Sequence, residues 1–150
     1  MKGAAVHFKK VQKNFGKVEA LKDFNLEIAP GEFVTLLGAS GSGKTTALNA
    51  LAGFIDTTGG DVLIGDKSVL GLPPEKRNVG MVFQSFSLFP HMTVFENVAF
   101  PLRLRKVSKA EITRRVDESL AMVQLEDYAA RMPKELSGGQ RQRVAFARAV

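Results

Sequence analysis

Gly38-Ala39-Ser40-Gly41-Ser42-Gly43-Lys44-Thr45 fits the spacing G-x-x-x-x-G-K-[ST], and each fixed position has a chemical task. Glycine lets the backbone curl until successive N–H groups point inward with no Cβ in the way, and such a nest of amides suits phosphate oxygens. Lys44 supplies a mobile positive charge for the outer phosphates of a nucleotide, and the Thr45 hydroxyl suits Mg2+. Thr46 follows in the helix whose positive end adds to the anion site. A Gly/Ser turn that binds nothing is the plainer alternative, but a continuous apolar run precedes this loop and helical spacing follows it. The loop leaves the reaction open, because kinases, GTPases, helicases and transport motors all use one.

Further along, Leu136-Ser137-Gly138-Gly139-Gln140 puts a cap residue at Ser137 and a glutamine three positions later, so a helix starts there. Gly138 and Gly139 leave N–H groups unpaired in that helix's positive field, which suits a γ phosphate. Taken alone, Ser137 to Gln140 reads better as a capped helix and nothing more. Gln84 by itself reads as a polar strand end. Phe86, Leu88 and Phe89, within Ser85 to Thr93, are either exposed for a partner or packed inside. His7 and His91 show no ligand-like spacing.

The elements that must position these residues follow from apolar periodicity. Val6, Phe8 and Val11 begin a strand whose alternation slips once; Phe24, Leu26 and Ile28 keep strict period two before Pro30-Gly31. Both suggest half-exposed antiparallel strands. Phe33 to Leu37 reads as a central parallel strand, and Asn78 to Phe83 as a second buried one. Between them, Ala47, Leu48, Leu51 and Ala52 define a helix from Thr45 that Gly53 ends, and Asp61 to Ile64 a strand entering a turn at Gly65-Asp66. Thr93 and Glu96 have capping-box spacing, so a helix starts there, and Pro101 is expected to end it. Ile112, Val116, Leu120 and Val123 form one apolar stripe of a packed surface helix.

A chain of 150 residues, 45% hydrophobic and 24% charged, has the balance of a soluble folded domain or part of one. It has no apolar stretch of membrane-spanning length and no signal-peptide layout, so a cytosolic product is expected. Zero cysteines exclude disulfides, zinc thiolates and a Cys nucleophile. The net charge of +6 suits nucleic acid, an anionic membrane or a phosphorylated ligand, or is largely solvated face: Lys106, Lys109, Arg114 and Arg115 share their segment with Glu111, Asp117 and Glu118.

Leu136 to Gln140, continued by Arg141-Gln142-Arg143-Val144-Ala145, resembles the signature motif of ABC ATPases, and the segments between it and the phosphate loop resemble that family in order. The resemblance runs from Val6 to Val150 and implies an α/β fold: a phosphate-loop NTPase core with an antiparallel β subdomain and a helical subdomain from about residue 93 to 150. It implies ATP and Mg2+ as ligands. It also implies a head-to-tail dimer in which Ser137, Gly138, Gly139 and Gln140 close on the partner's nucleotide. Gln84 resembles the Q-loop glutamine that reaches Mg2+ and the attacking water, and Phe15 the aromatic that stacks on adenine. Val18 and Ala20 line the same base pocket or are ordinary core residues. Phe86, Leu88 and Phe89 resemble the groove of importer ATPases that takes a helix of the membrane permease, with a solute-binding protein as an indirect partner.

Pro73 to Arg77 and Val94 to Phe100 look closest to the spermidine/putrescine importer subgroup, although Pro101 stands where that subgroup often has Gly. The resemblance thus implies a peripheral motor subunit on the cytoplasmic face of the inner membrane, coupling ATP hydrolysis to solute uptake. Hydrolysis needs an Asp for Mg2+ and an adjacent Glu to polarise water. In the family both lie beyond the signature helix, inside which this sequence stops. The chain is therefore expected to be an N-terminal fragment without its own catalytic residues. A soluble ABC ATPase acting on nucleic acid or ribosomes is the alternative, and a non-hydrolysing nucleotide-binding module a third. No basic and aromatic interleaving suggestive of base stacking is present, so no nucleic-acid partner is expected.

Overall fold

The period-two apolar positions near the N-terminus become one face of an antiparallel sheet. In the computed structural model, which describes residues 3–149, β1 (Val6–Phe15) lies between β2 (Val18–Ile28) and β3 (Gly59–Ile64), and β3 carries the short β4 (Lys67–Ser68). The slip in alternation is a register shift between Phe8 and Val11, where Lys10 has φ 48° and its N–H is held by Asn25 Oδ1 at 2.9 Å. Phe8, Val11, Leu21, Val62 and Val69 form the core beneath the sheet with Ala47, which belongs to α1 (Lys44–Ala52).

Contacts divide the chain between Val79 and Gly80. The second unit is helical: α2 (Val94–Leu104), α3 (Lys109–Met122) and α4 (Gly138–Ala149). The expected stripe is buried, with Ile112, Val116, Leu120 and Val123 packed with Val94, Val98 and Val144. Thr93 and Glu96 form the capping box: the Glu96 N–H donates to Thr93 Oγ1 at 3.2 Å and the Thr93 N–H to Glu96 Oε2 at 2.8 Å. These bonds hold the Glu96 carboxyl below its ordinary value, and on α3 the Arg114 and Arg115 guanidiniums hold Glu111 at about 2.

Four expectations need correction. Pro101 sits inside α2 rather than ending it: proline removes one N–H donor, but burial of Val94, Val98 and Ala99 carries the helix past it to Leu104. In α1, Leu48 is 47% exposed, and Ala50, which the periodicity did not single out, is buried. Phe33 to Leu37 and Asn78 to Phe83 are not strands, and Phe33 and Leu37 are 92% and 89% exposed. A parallel strand takes its hydrogen bonds and its cover from neighbours, and no described strand pairs with either segment. Val150, which falls within the expected signature helix, lies outside the described residues.

Candidate functional site

The phosphate loop is built in the first unit by backbone that only glycine tolerates. Gly41 and Gly43 have φ 80° and 84°, and a Cβ on Gly43 would meet the Ala20 carbonyl oxygen at 2.5 Å. A Cβ on Gly38 would meet Ser42 Oγ at 2.6 Å. Gly43 is also the N-cap of α1 and lends no side chain, so the first N–H groups of that helix keep their donors for a ligand. The Lys44 ammonium folds over the loop, donating to the carbonyls of Gly38 at 2.7 Å and Ala39 at 2.6 Å and to Ser42 Oγ at 3.0 Å. Ala39, Ser40 and Thr45 are exposed and Thr46 is half-buried.

The close approach of Gly43 to Ala20 sets the loop against β2 of the hairpin that carries Phe15 and Val18. Phe15 pairs with Val18 at the hairpin end, where the two are 50% and 66% exposed, and Ala20 is half-buried. The Lys13 ammonium lies 5.0 Å from the Phe15 ring centroid, a cation–π contact.

Gln84 and Ser137 to Gln140 belong to the second unit. Gln84 is exposed in a turn closed by the Phe86 N–H on the Phe83 carbonyl at 2.9 Å. Ser137 and Gln140 make the expected reciprocal cap: the Gln140 N–H donates to Ser137 Oγ at 3.2 Å and the Ser137 N–H to Gln140 Oε1 at 2.8 Å. Gly138 and Gly139 are exposed, and a Cβ on either would meet nothing within 4 Å, so nothing among the described residues demands glycine there. Phe86, Leu88 and Phe89 are half-buried: Leu88 packs on the helical core and Phe89 on Phe100, centroids 4.6 Å apart.

Two residues behind this stretch escaped the sequence reading. Asn97 is fully buried on α2, accepts from the Phe89 N–H at 2.8 Å, and donates to the carbonyls of Phe89, Met92 and Thr93 at 3.0 to 3.1 Å. Arg148 donates to the carbonyls of Ser87 at 2.8 Å and Phe86 at 3.2 Å, and burial lowers its pKa. No local pattern marks either residue, since their partners are set by how the chain folds back.

The profile of the family described as ABC transporter matches residues 21–150. The chain belongs to the ABC transporter family. This ABC transporter chain is 53% identical over its whole length to the spermidine/putrescine import ATP-binding protein PotA of Thermotoga maritima, and covers 41% of that protein. Over 145 residues it is 55% identical to PotA of Haemophilus ducreyi, matching 97% of this chain and 39% of the relative. It therefore spans about two fifths of the length of these relatives. Among solved structures it is similar to the dimeric ATP-binding cassette MJ0796 in a post-hydrolysis state bound to ADP and Pi. That match has a TM-score of 0.86 and 41% identity over 97% of this chain and 68% of the other. A second dimeric structure of MJ0796, described as a bacterial ABC transporter cassette, matches with a TM-score of 0.87 and 40% identity, over 97% of this chain and 68% of that one. The fold is thus the α/β phosphate-loop fold of ABC cassettes. Among the described residues no helix is long and apolar enough to cross a membrane.

Proposed function

We propose that this chain is the nucleotide-binding part of the motor subunit of an ABC importer, which couples ATP hydrolysis to solute uptake, with a polyamine as the solute. The glycine-built loop of residues 38–45, with Lys44 held over it, is the observation that carries the reading. The names of the curated relatives support the choice of importer and solute.

In this reading Gly38, Ala39, Ser40, Gly41, Ser42, Gly43, Lys44, Thr45 and Thr46 hold the phosphates by backbone N–H groups and the lysine charge, exchanging the carbonyl contacts of Lys44 for phosphate oxygens. Phe15 offers its exposed ring to adenine, with Val18 and Ala20 beside it on the same hairpin. For Mg2+, Thr45 in the first unit and Gln84 in the second each offer an exposed side-chain oxygen of the kind the ion takes. Mg2+, when bound, neutralises charge on the outer phosphates. Ser137, Gly138, Gly139 and Gln140 face the nucleotide of a second ATPase subunit: the side chains of Ser137 and Gln140 cap each other's N–H groups, and the N–H groups of Gly138 and Gly139 between them are offered to phosphate, which accounts for two glycines that nothing among the described residues requires.

Phe86, Leu88 and Phe89, propped by Asn97 and Arg148, form a firm surface for a permease segment. The motor then sits peripherally at the cytoplasmic membrane face, reaching a solute-binding protein only through the permease. Equilibrium dialysis with ATP and Mg2+ tests the reading: retention of nucleotide by the chain, lost in Lys44→Ala, is expected. An unchanged signal in Lys44→Ala would overturn it.

A further inference from the structure

Arg77 is a buried cation with no part in the site described above. It is 5% exposed, and its guanidinium donates from Nη1 to the carbonyls of Ala50 at 2.6 Å and Leu51 at 3.1 Å, and from Nε to that of Leu72 at 2.8 Å. Ala50 and Leu51 lie in the last turn of α1, whose own last turn contains no basic residue. A cation from elsewhere in the chain therefore meets the negative end of the helix and satisfies carbonyls that the helix cannot pair itself. Burial lowers the pKa of this guanidinium, and the charge of nearby Asp56 works in the opposite sense.

The fully buried apolar groups of α1 are small, and its partly buried Leu51 packs on the core beneath the sheet. Its buried residues are Ala47, Ala50 and Ala52, three single methyl groups, whereas α3 is anchored by Ile112, Val116 and Leu120. The opposite end of α1 is the phosphate loop, wedged against the Ala20 carbonyl through Gly43. At nine residues the helix is about 13 Å long, so a tilt about one end displaces the other. Gly53, at φ 84°, completes the fit: a Cβ there would stand 2.5 Å from Arg77 Nε. Beside the guanidinium is a cavity of about 130 Å³ lined by Ala50, Ile55, Asp56 and Leu70, so nothing bulky backs the helix end if Arg77 is lost.

We propose that Arg77 is a positioning residue for nucleotide binding: it fixes the C-terminal end of α1 and thereby the aim of the Lys44 and Thr45 N–H groups at the other end. The inference rests on the reading of residues 38–45 as a nucleotide site. A fluorescent ATP analogue with Mg2+ provides the binding readout, with Arg77→Met, Arg77→Lys and Gly53→Ala compared at a temperature where circular dichroism shows each to be folded. Arg77→Met is expected to weaken binding about tenfold through misaiming at a distance. Arg77→Lys, which can still reach carbonyls with a point charge, should recover part of the loss. Gly53→Ala should weaken binding by displacing the guanidinium, and its effect should shrink in an Arg77→Met background to what the left-handed backbone at Gly53 costs by itself.

Phe24→Ala, which removes the edge-to-face partner of Phe8 in the sheet, serves as the control for general destabilisation. It should lower the melting temperature while leaving affinity within about twofold at the assay temperature. Equal binding by wild type and Arg77→Met overturns the inference, as does a loss matched by Phe24→Ala at equal melting temperature. No binding by wild type would instead overturn the nucleotide reading itself.

Discussion

Replacing Asn97 by alanine should unseat the whole of residues 89–93, because this one side chain holds the segment from both sides. Its amide oxygen takes the Phe89 N–H, and its two amide hydrogens are shared among three carbonyls, those of Phe89, Met92 and Thr93. That is about three hydrogen bonds' worth of interaction, each contributing about 1 kcal/mol net, so the loss is about 3 kcal/mol. The site is fully buried, which stops water from replacing the lost partner until the loop moves. With a urea dependence of about 1.5 kcal/mol per molar, the helical unit should unfold at a midpoint lower by about 2 M. Circular dichroism at 222 nm across a urea series measures this. Asn97→Asp keeps the acceptor, removes both donors and faces a carboxylate with three carbonyl oxygens, so it should be worse than alanine at neutral pH. A midpoint shift below about 0.5 M for Asn97→Ala would show that the loop is held by something else.

Gly139→Ala should stabilise α4 by up to about 1 kcal/mol, since its Cβ meets nothing, and a thermal melt should show the midpoint rise. Phe15→Ala should weaken ATP binding by about 1 kcal/mol, roughly fivefold, through loss of stacking, read by equilibrium dialysis. Glu96 and Glu111 both have folded-state pKa values below their ordinary value of 4.5, Glu111 at about 2. A depressed carboxyl contributes stability that is present above its unfolded pKa and is lost as pH falls through the folded one. Urea midpoints of the helical unit should therefore fall from about pH 4.5 toward pH 2, and Glu111→Gln should flatten part of that decline.

Local signals carried most of what could be read before the structure. The two capping boxes, the alanine-rich helix after the loop and the slip in β1 all depend on residues a few positions apart, and the chain encodes them directly. The strand readings at Phe33 to Leu37 and Asn78 to Phe83 rested on composition. Composition says that a segment suits a covered strand but not that a neighbour is present to pair with it. Pro101 misled for the opposite reason, as burial of Val94, Val98 and Ala99 outweighs a single missing donor. Arg77, Asn97 and Arg148 were illegible as anchors. Arg77 meets α1 carbonyls 26 and 27 positions away and Arg148 meets the loop 61 and 62 positions away, while Asn97 looks like any polar residue in a helix until the loop folds over it.

Lys44 is occupied with its own loop's carbonyls and Ser42. An incoming anion must therefore displace a set of neutral partners before it gains the ammonium. A polyphosphate offsets that loss by reaching the lysine and the amides together, with more charge than a singly charged ion brings.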